Sequence, residues 1–359
     1  MKSFTDYFVS DCNNPEFYPL FKQLKYGELH LKQDIDSGLF AIIAIHSTKL
    51  GPAIGGCRFQ PYPSVESAIV DCLRLAQGMS YKAAISNLPL GGGKAVLLRP
   101  SHDFDRIKLL SAFGQCVEDL GGRYITAEDS GTNIADMDTI RTITQFVTGN
   151  TQQSFAQKDP SIVTAFGVRR GIEAAVKYRL NQDNLRGIRV AIQGVGNVGY
   201  HLAKELHQQG AILTVCDTNP QAVARAVNEF SATAVAVEDI YQVAAEVFSP
   251  CALSNPVNPQ SVHELVAPIV AGSANNQLSD PSMGLTLKER NILYAPDFAI
   301  NAGGLIHVSA QYHHELESTA RENIANIYHT LMLIFESAAK ENLPTNVIAN
   351  KLAEQRLYQ

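Results

Sequence analysis

Two lysines and an aspartate in the first half of the chain have the types and spacing that suggest acid–base chemistry: Lys82, Lys94 and Asp129. A lysine amine that is partly desolvated near a second cation loses its proton more readily, which allows it to act as a general base near neutral pH. Lys94 is predicted to be this base, and Lys82 to provide the cation while it binds a substrate carboxylate. Because most lysines are solvated surface charges, their spacing alone also leaves that simpler interpretation open.

Three consecutive glycines, Gly91–Gly93, stand immediately before Lys94. They do not form a phosphate-binding P-loop, because Leu88 occupies the place of its first glycine and Ala95 the place of its Ser or Thr. Consecutive glycines cost conformational entropy, so they need a structural reason. We interpret them as backbone that approaches a ligand closely or turns sharply to present Lys94.

A dinucleotide-binding fingerprint lies in the second half of the chain. Gly194, Gly196 and Gly199 follow the predicted strand 189–193 and open a predicted helix, and Asp217 ends the next strand, 18 residues after Gly199. Such glycines permit a tight turn, close approach of a pyrophosphate to a helix N-terminus, and close packing of helix on strand. The pattern predicts a cofactor site, although a glycine-rich turn that binds nothing is the alternative.

The residue that ends the second strand favours NAD over NADP. Asp217 is expected to accept hydrogen bonds from the adenosine ribose hydroxyls and to repel a 2′-phosphate. Thr218, Asn219 and Pro220, which follow it, offer no cation in compensation.

The elements that must position these residues form two predicted domains of an α/β protein with a cleft between them. Alternating strands and helices are predicted before a polar stretch, 148–160, and a βαβ unit after it. The first domain is expected to comprise residues 1–148 and a C-terminal helical tail, about 325–359, that packs back on it. The NAD-binding Rossmann domain is expected to comprise residues 149–324. The individual predictions are strands at 38–46, 95–98, 123–126, 189–193 and 212–216, and helices at 66–79, 104–120, 163–180, 200–209 and 322–357.

Composition narrows the classes of partner. The 359 residues carry a net charge of -6 without a run of Lys and Arg, so nucleic acid is not an expected partner. Residues 1–16 lack the apolar core of a secretory signal and no stretch is long enough to span a bilayer, so a cytoplasmic protein without a membrane partner is expected. The six cysteines form no C-x-x-C pair and are expected to be reduced, and no metal site is predicted.

Seven segments, in order along nearly the whole chain, closely resemble the glutamate/leucine/phenylalanine/valine dehydrogenase family. They are Gly51–Arg58, Met79–Ala84, Leu90–Val96, Ala127–Thr132, Pro250–Leu253, Ala271–Gln277 and Tyr294–Gly304. The chain departs from the family's usual pattern at Ile54, at Cys57 and at Ser254–Pro256.

The resemblance implies roles for particular residues. Lys94 would be the catalytic lysine, Asp129 would assist proton transfer, and Lys82 would bind the substrate carboxylate. The residues implied in substrate binding besides Lys82 are Gly55, Asn276, Ile54, Ala127, Leu305 and Val308. Those implied in cofactor binding are Gly194, Gly196, Asn197, Val198, Gly199, Asp217, Thr164, Cys251, Ala252, Asn276 and Asn301.

By the same resemblance the reaction would be hydride transfer from Cα of an L-amino acid to NAD, followed by hydrolysis of an imine to a 2-keto acid and ammonia, in a homo-oligomer. Ile54, Ala127, Leu305 and Val308 are aliphatic, and would leave a glutamate carboxylate buried without a partner. A branched-chain substrate is therefore expected, and an aromatic amino acid remains the alternative. More distant alternatives are a nicotinamide enzyme that acts on hydroxy acids or folates, and a non-catalytic NAD-binding protein.

Overall fold

The computed structural model describes residues 20–21, 24, 27–152, 159–252 and 255–358. Predictions that concern residues 1–16, Ser254 and the part of the polar stretch from 153 to 158 lie outside the described residues. The chain divides into two compact units. The first comprises Met1–Ala84 and Pro89–Ala156, and the second comprises Ile85–Leu88 and Gln157–Gln359.

A mixed five-stranded sheet organises the first unit, in the order β1-β2-β4-β3-β5. Strand β3 is parallel to both β4 and β5, whereas β2 is antiparallel to β1 and β4. The strands are β1 (Glu28–Asp34), β2 (Leu39–Ser47), β3 (Ala53–Gln60), β4 (Gly91–Leu98) and β5 (Tyr124–Glu128). The helices are α1 (Val65–Ile85), α2 (Arg106–Glu118) and α3 (Ile134–Arg141).

The two faces of this sheet pack into separate apolar clusters because successive side chains of a strand point to opposite faces. On β2, Leu39, Ile43 and Ile45 belong to the cluster that contains the buried residues of α2. Ile42 and Ala44 belong instead to the cluster formed with α1. Helix α1 therefore covers one face of the sheet and α2 covers the other.

The interpretation of Gly91–Gly93 as a turn is wrong. These glycines are extended residues of β4, in which Gly91 pairs with Ala53 and Gly92 with Ile54 of β3. Their role is instead to admit neighbouring groups. A Cβ atom on Gly91 would lie 1.9 Å from the Ser47 carbonyl oxygen, and one on Gly92 would lie 2.0 Å from the Ser80 nitrogen.

A six-stranded parallel sheet, in the order β11-β10-β9-β6-β7-β8, organises the second unit, and the predicted α/β class with a Rossmann-type second domain is confirmed. Its strands are β6 (Arg189–Gln193), β7 (Ile212–Cys216), β8 (Thr233–Ala234), β9 (Val247–Pro250), β10 (Ile269–Val270) and β11 (Leu293–Tyr294). Its helices are α4 (Pro160–Leu180), α5 (Asn197–Gln208), α6 (Pro220–Phe230), α7 (Ser261–Glu264), α8 (Met283–Glu289), α9 (Asp297–Ile300), α10 (Gly303–Tyr312), α11 (Glu317–Ala325), α12 (Ile327–Glu341) and α13 (Thr345–Tyr358).

The C-terminal tail differs from its prediction in both form and place. It comprises two helices, α12 and α13, because α12 ends at Glu341 and its C-cap, Asn342, has a left-handed φ of 54°, two residues before Pro344. The tail also belongs to the second unit rather than to the first domain. Helix α12 packs on α4, where the Tyr178 hydroxyl donates to the Phe335 carbonyl at 3.3 Å and the two rings lie 5.3 Å apart. The apolar spacing that predicted the tail indicated a buried face but not the surface that covers it.

Two absences concern the residues that the structure describes. Among them, no helix is both long enough and apolar enough to cross a membrane. Within the same part of the chain, no group of three or more His, Cys, Asp or Glu side chains is placed to hold a metal ion.

Candidate active site

Lys94 and Asp129, predicted from residue types 35 positions apart, form an ion pair between Nζ and Oδ2. Lys94 lies in the middle of β4, and only 8% of its side chain is exposed. Asp129 follows the last residue of β5 and is 19% exposed. A lysine this deeply placed in an otherwise apolar strand is uncommon unless it is paired, and here the carboxylate compensates its charge.

Glycines of β3 and β4 make this approach possible. A Cβ atom on Gly56 would lie 2.7 Å from Cβ of Asp129, and one on Gly93 would lie 2.7 Å from the ring of Tyr124. Gly55, implied in substrate binding, has its Cα hydrogen directed at the Gly93 carbonyl oxygen, where a Cβ atom would lie at 1.8 Å. Side chains at these positions would push β3, β4 and β5 apart and would separate Lys94 from Asp129.

The loop that carries Asp129 is fixed to β3 by hydrogen bonds. The Asp129 N–H donates to the Thr132 hydroxyl at 2.9 Å, and that hydroxyl donates to the Cys57 carbonyl at 3.0 Å. The Phe59 N–H donates to the Ser130 carbonyl at 2.9 Å. Gly131, at a φ of 87°, passes so close to Phe59 that a Cβ atom would lie 1.9 Å from its carbonyl oxygen. The carboxylate is thus held in place before any ligand binds.

An arginine that the sequence analysis did not single out contacts the same carboxylate oxygen. Arg58 Nε lies 3.5 Å from Asp129 Oδ2, and Arg58 Nη1 donates to Asp71 Oδ2 at 2.8 Å. The Tyr62 hydroxyl donates to the same Asp71 oxygen at 2.5 Å. A charged residue on the otherwise apolar β3 was the available signal, but its partners depend on the register of β3 and on the packing of α1.

Burial and the neighbouring charges act in opposite directions on the pKa values of Asp129 and Arg58. Burial works against the ionised carboxyl of Asp129, but Lys94, the N–H of Ser130 and Arg58 outweigh it and lower its pKa. Burial likewise works against the charged guanidinium of Arg58, yet Asp129 and Asp71 outweigh it and raise its pKa. The arrangement therefore keeps Asp129 anionic and Arg58 cationic over the whole physiological range.

Other titratable groups beside the pair are neutral. Burial raises the pKa of Cys57 to about 11 and that of Cys72 to about 12. The Cys72 thiol donates to the Lys94 carbonyl at 3.4 Å, as expected for a residue on the apolar face of α1. Burial also raises the pKa of Tyr124 well above its ordinary value, and its hydroxyl donates to the Gly55 carbonyl at 2.6 Å. The departure at Cys57 thus adds a buried, uncharged thiol next to the ion pair.

The other substrate residues assigned to the first unit occupy the same strands and helix. Lys82 lies in the last turn of α1, two residues after Ser80, the residue that Gly92 of β4 approaches. Ile54 is 1% exposed on β3, and Ala127 is half-buried on β5. Arg58 is a second cation at Asp129, and the expected placement of Lys82 as a cation near Lys94 stays a prediction.

The predicted fingerprint of the second unit forms a strand-turn-helix at β6 and α5. Gly194 adopts a φ of 93°, and Gly196 is the N-cap of α5, which has no side-chain cap. A Cβ atom on Gly199 would lie 2.0 Å from the Gly194 carbonyl oxygen, whereas one on Gly196 would meet no atom within 4 Å. Asn197 and Val198 begin the helix. The uncapped N-terminus beside open space at Gly196 fits a bound pyrophosphate.

Asp217 follows β7 and faces this turn. Its Oδ2 accepts from the Val195 N–H at 2.8 Å, and its Oδ1 accepts from the Asn219 N–H at 2.8 Å. Each oxygen keeps a lone pair that can accept a further hydrogen bond, as from a ribose hydroxyl. The residue thus fits the acidic position of a dinucleotide site.

The remaining cofactor residues lie after β9, in the segment after β10 and on neighbouring helices. Cys251 and Ala252 follow β9, and a Cβ atom on Gly194 would lie 2.7 Å from the Ala252 nitrogen. Asn276 has a left-handed φ of 50°, and its carbonyl accepts from the Asn255 N–H at 3.1 Å. Thr164 lies on α4, and its hydroxyl would lie 3.1 Å from a Cβ atom on Gly304.

One buried acceptor in this region has no protein partner among the described residues. Asn301 donates from Nδ2 to Asn275 Oδ1 at 2.8 Å and to the Ser273 carbonyl at 3.1 Å, but its Oδ1 accepts no hydrogen bond. A ligand N–H would satisfy this oxygen, which fits a carboxamide-bearing cofactor. On α10, Leu305 is 8% exposed and Val308 is half-buried.

Comparisons with known proteins agree with this architecture. The family model described as "Glu/Leu/Phe/Val dehydrogenase, dimerisation domain" matches residues 26–146. The model described as "Glutamate/Leucine/Phenylalanine/Valine dehydrogenase" matches residues 157–225 and 218–346. The chain is 46% identical to leucine dehydrogenase of Geobacillus stearothermophilus, over 95% of this chain and 93% of that protein. It is 40% identical to valine dehydrogenase of Streptomyces virginiae, over 97% of this chain and 99% of that protein.

A solved structure extends the likeness to three dimensions. The crystal structure of L-tryptophan dehydrogenase from Nostoc punctiforme is similar with a TM-score of 0.84 at 39% identity, over 95% of this chain and 98% of that chain. These matches confirm the family that the seven sequence segments indicated. The chain therefore belongs to the Glu/Leu/Phe/Val dehydrogenase family and is an amino-acid dehydrogenase, an oxidoreductase that acts on the CH–NH2 group of its donor.

Proposed function

We propose that the protein catalyses the reversible NAD-dependent oxidative deamination of a branched-chain L-amino acid to its 2-keto acid and ammonia. The observation that carries this proposal is the buried Lys94–Asp129 pair, held rigidly by β3, β4 and β5 in a chain that also has a dinucleotide fingerprint. Either part alone would fit other dehydrogenases. Together they fit the chemistry of an amine donor.

Lys94 is assigned as the general base and Asp129 as the group that stabilises its charged form. Bound NAD supplies a hydride acceptor for the Cα hydrogen of the amino acid, which becomes an imine. Lys94 Nζ then takes a proton from a water molecule as the water oxygen adds to the imine carbon. Asp129 Oδ2 holds the resulting ammonium group until its proton passes to the amino group of the adduct, whose C–N bond breaks as ammonia leaves. The hydroxyl proton of the adduct returns to Lys94 Nζ as the keto C=O forms. Lys82 is assigned to the substrate carboxylate.

The substrate side chain is assigned to Ile54, Ala127, Leu305 and Val308, which offer apolar surface and no charge. A glutamate carboxylate there would lose its hydration without gaining a hydrogen-bond or ion-pair partner. Burying a polar group in this way costs about 2 kcal/mol or more. The leucine and valine dehydrogenases among the relatives support a branched-chain substrate. The tryptophan dehydrogenase, at 39% identity, favours an aromatic amino acid as the second candidate.

NAD is the cofactor proposed for the second unit. The Asp217 carboxylate repels a ribose 2′-phosphate, and Thr218, Asn219 and Pro220 supply no cation to bind one. A homo-oligomer is also proposed, because residues 26–146 match a dimerisation domain. Analytical ultracentrifugation tests it directly, since sedimentation as a single chain at micromolar concentration contradicts an oligomer.

The test of the function is NADH formation by the purified protein against a panel of L-amino acids, with NADP in parallel. Turnover confined to leucine, valine and isoleucine supports the proposal, and a preference for phenylalanine or tryptophan supports the second candidate. Turnover with no amino acid contradicts both.

Lys94→Ala is expected to reduce turnover by several orders of magnitude while NAD still binds, because Lys94 belongs to the first unit and the cofactor fingerprint to the second. Lys108→Ala provides the matched control, since Lys108 is exposed on α2 and donates only to the Asp36 carbonyl, at 2.8 Å. Undiminished turnover in Lys94→Ala would remove Lys94 from the mechanism.

A further inference from the structure

Beyond the catalytic pair, a row of side chains with alternating charge continues from Asp129 to α1. Asp129 Oδ2 is shared by Lys94 Nζ and, at 3.5 Å, by Arg58 Nε. Asp71 Oδ2 is in turn shared by Arg58 Nη1 at 2.8 Å and by the Tyr62 hydroxyl at 2.5 Å. Exposure rises outward along the row, because the side chains of Lys94, Arg58 and Asp71 are 8%, 21% and 32% exposed.

The register of the sheet explains why Arg58 reaches both carboxylates. Arg58 pairs with Val96 on β4, so it lies on the same face of the sheet as Val96 and Lys94. Helix α1 packs against this face and brings Asp71 to Arg58. Asp129 reaches Arg58 from the end of β5, whose Glu128 pairs with Cys57. Arg58 is therefore the only cation that the described hydrogen bonds and ion pairs place between the catalytic carboxylate and a second carboxylate.

We propose that Arg58 is a positioning residue that competes with Lys94 for the Asp129 carboxylate, and that Asp71, held by Tyr62, sets how strongly it competes. The inference rests on the proposed role of Lys94 as the base. A base must give up its proton to begin its work, and an undivided carboxylate partner would hold that proton. By sharing Asp129 Oδ2, Arg58 weakens this hold and adds a like charge next to the lysine.

The two outer residues are expected to act in opposite directions. A charge within about 4–6 Å shifts a titration by roughly 1–3 pH units, and partial exposure reduces this. Removing the charge of Arg58 leaves Asp129 to Lys94 alone, so the active, unprotonated base forms only at higher pH. Removing the charge of Asp71 frees Arg58 to act more fully on Asp129, so the base forms at lower pH.

The other titratable groups on the elements around the Lys94–Asp129 pair do not produce this pattern. Cys57 on β3, Cys72 on α1 and Tyr124 on β5 stay neutral because burial raises the pKa of each. Lys82 on α1 and Glu128 on β5 are further charged groups on the adjoining elements, and they are the same in every variant. Opposite shifts from Arg58 and Asp71 are thus specific to the row.

The experiment is the pH profile of kcat for amino-acid oxidation in the full-length parent, Arg58→Gln and Asp71→Asn. The midpoint of the acid limb should rise by about one pH unit in Arg58→Gln and fall by a few tenths of a unit in Asp71→Asn. The substrate amine titrates in the same way in all three, so differences between them report the protein. Arg58→Lys keeps the positive charge, so the midpoint of its acid limb should lie close to that of the parent.

Arg123→Gln is the matched control, because it removes one positive charge from an exposed ion pair with Glu28. Arg123 precedes β5 whereas Asp129 follows it, which separates them by about 20 Å at 3.3 Å per residue. The midpoint of the acid limb in Arg123→Gln should equal that of the parent. If Arg58→Gln does not fold, Arg58→Lys, Asp71→Asn and Tyr62→Phe still test the row. Tyr62→Phe leaves Asp71 Oδ2 to Arg58 alone, so it should shift the midpoint in the direction of Arg58→Gln.

The proposal would be overturned if the midpoints of Arg58→Gln and Asp71→Asn shifted with the same sign. It would also be overturned if both midpoints stayed at the parental value and only kcat or stability fell, since the row would then serve stability alone. Failure of the underlying function has a different signature. In that case the parent does not oxidise amino acids, or Lys94→Ala retains parental turnover, and the pH profiles of the variants do not enter the decision.

Discussion

Asp217 shows how one side chain serves both the local backbone and a ligand. Its two oxygens each accept one backbone N–H, from Val195 and Asn219, which fixes the carboxylate relative to the turn before α5. The charge that remains faces whatever occupies that turn. In the proposed function, selectivity between cofactors that differ by one phosphate group would depend on a residue that is also part of the loop architecture.

Asp217→Ala is expected to weaken NAD binding more than NADP binding, because it removes an acceptor for the ribose hydroxyls and also the repulsion of a 2′-phosphate. Asp217→Asn removes the charge and replaces one of the two acceptor oxygens, so it removes the repulsion of a 2′-phosphate while one acceptor remains. Fluorescence titration with NADH and NADPH measures both. Equal weakening of the two cofactors in both variants would contradict the selectivity assigned to Asp217.

Some site residues could be predicted from the sequence, and others could be recognised only from the three-dimensional structure. Lys94 could be singled out by the three glycines before it, but its role and that of Asp129 were predicted from the resemblance to the family, since their spacing alone also fits surface charges. Arg58 and Asp71 were not, because their contact depends on the β3–β4 register and on the face of α1 that packs there. The burial of Lys94 likewise follows from the central position of β4 in the sheet.

At the scale of elements, groups from several neighbouring segments pack against β4 at its glycines, where a side chain would clash. Gly91 is approached by Ser47, Gly92 by Ser80 of α1, and Gly93 by the ring of Tyr124. The sequence predicted only the end of this strand, 95–98, because consecutive glycines read as a turn. Their extended conformation could be recognised only once the neighbours were in place, since glycine itself favours neither form.

Gly92→Ala is expected to destabilise the first unit by about 1–3 kcal/mol or more, because its Cβ atom would lie 2.0 Å from the backbone of Ser80. Gly78→Ala is the matched control. Gly78 lies inside α1 with no atom within 4 Å of its Cβ position, so alanine should stabilise the helix by about 0.5–1 kcal/mol. Urea unfolding monitored by circular dichroism compares the two, and similar changes in the two midpoints would refute the packing argument.

At the scale of the whole molecule, the cofactor unit is completed by the end of the chain. Helix α12 packs on α4, and a Cβ atom on Gly171 of α4 would lie 2.8 Å from Leu331 of α12. Leu331 is fully buried, whereas Leu333, on the same helix, is 45% exposed. The sequence predicted the helical character of this tail, but its partner depends on contacts between residues far apart in the chain, which periodicity does not report.

Leu331→Ala is expected to cost about 2–5 kcal/mol, because it removes buried methyl groups and leaves a cavity against α4. Leu333→Ala should change stability by no more than about 0.5 kcal/mol, as expected for an exposed site. Chemical denaturation with and without NAD measures both. The packing of α12 on α4 would be contradicted if the two variants unfolded at the same denaturant concentration.

The same long-range contact has a consequence during synthesis on the ribosome. About 150 residues separate the end of α4 at Leu180 from the start of α12 at Ile327. At roughly 5–20 residues per second, the apolar face of α4 waits about 7–30 s in the nascent chain before its partner helix is translated. The five-stranded sheet, whose strands all precede residue 129, has by then been translated in full. The second unit is therefore the one exposed to premature association, and the one that chaperones would have to shield.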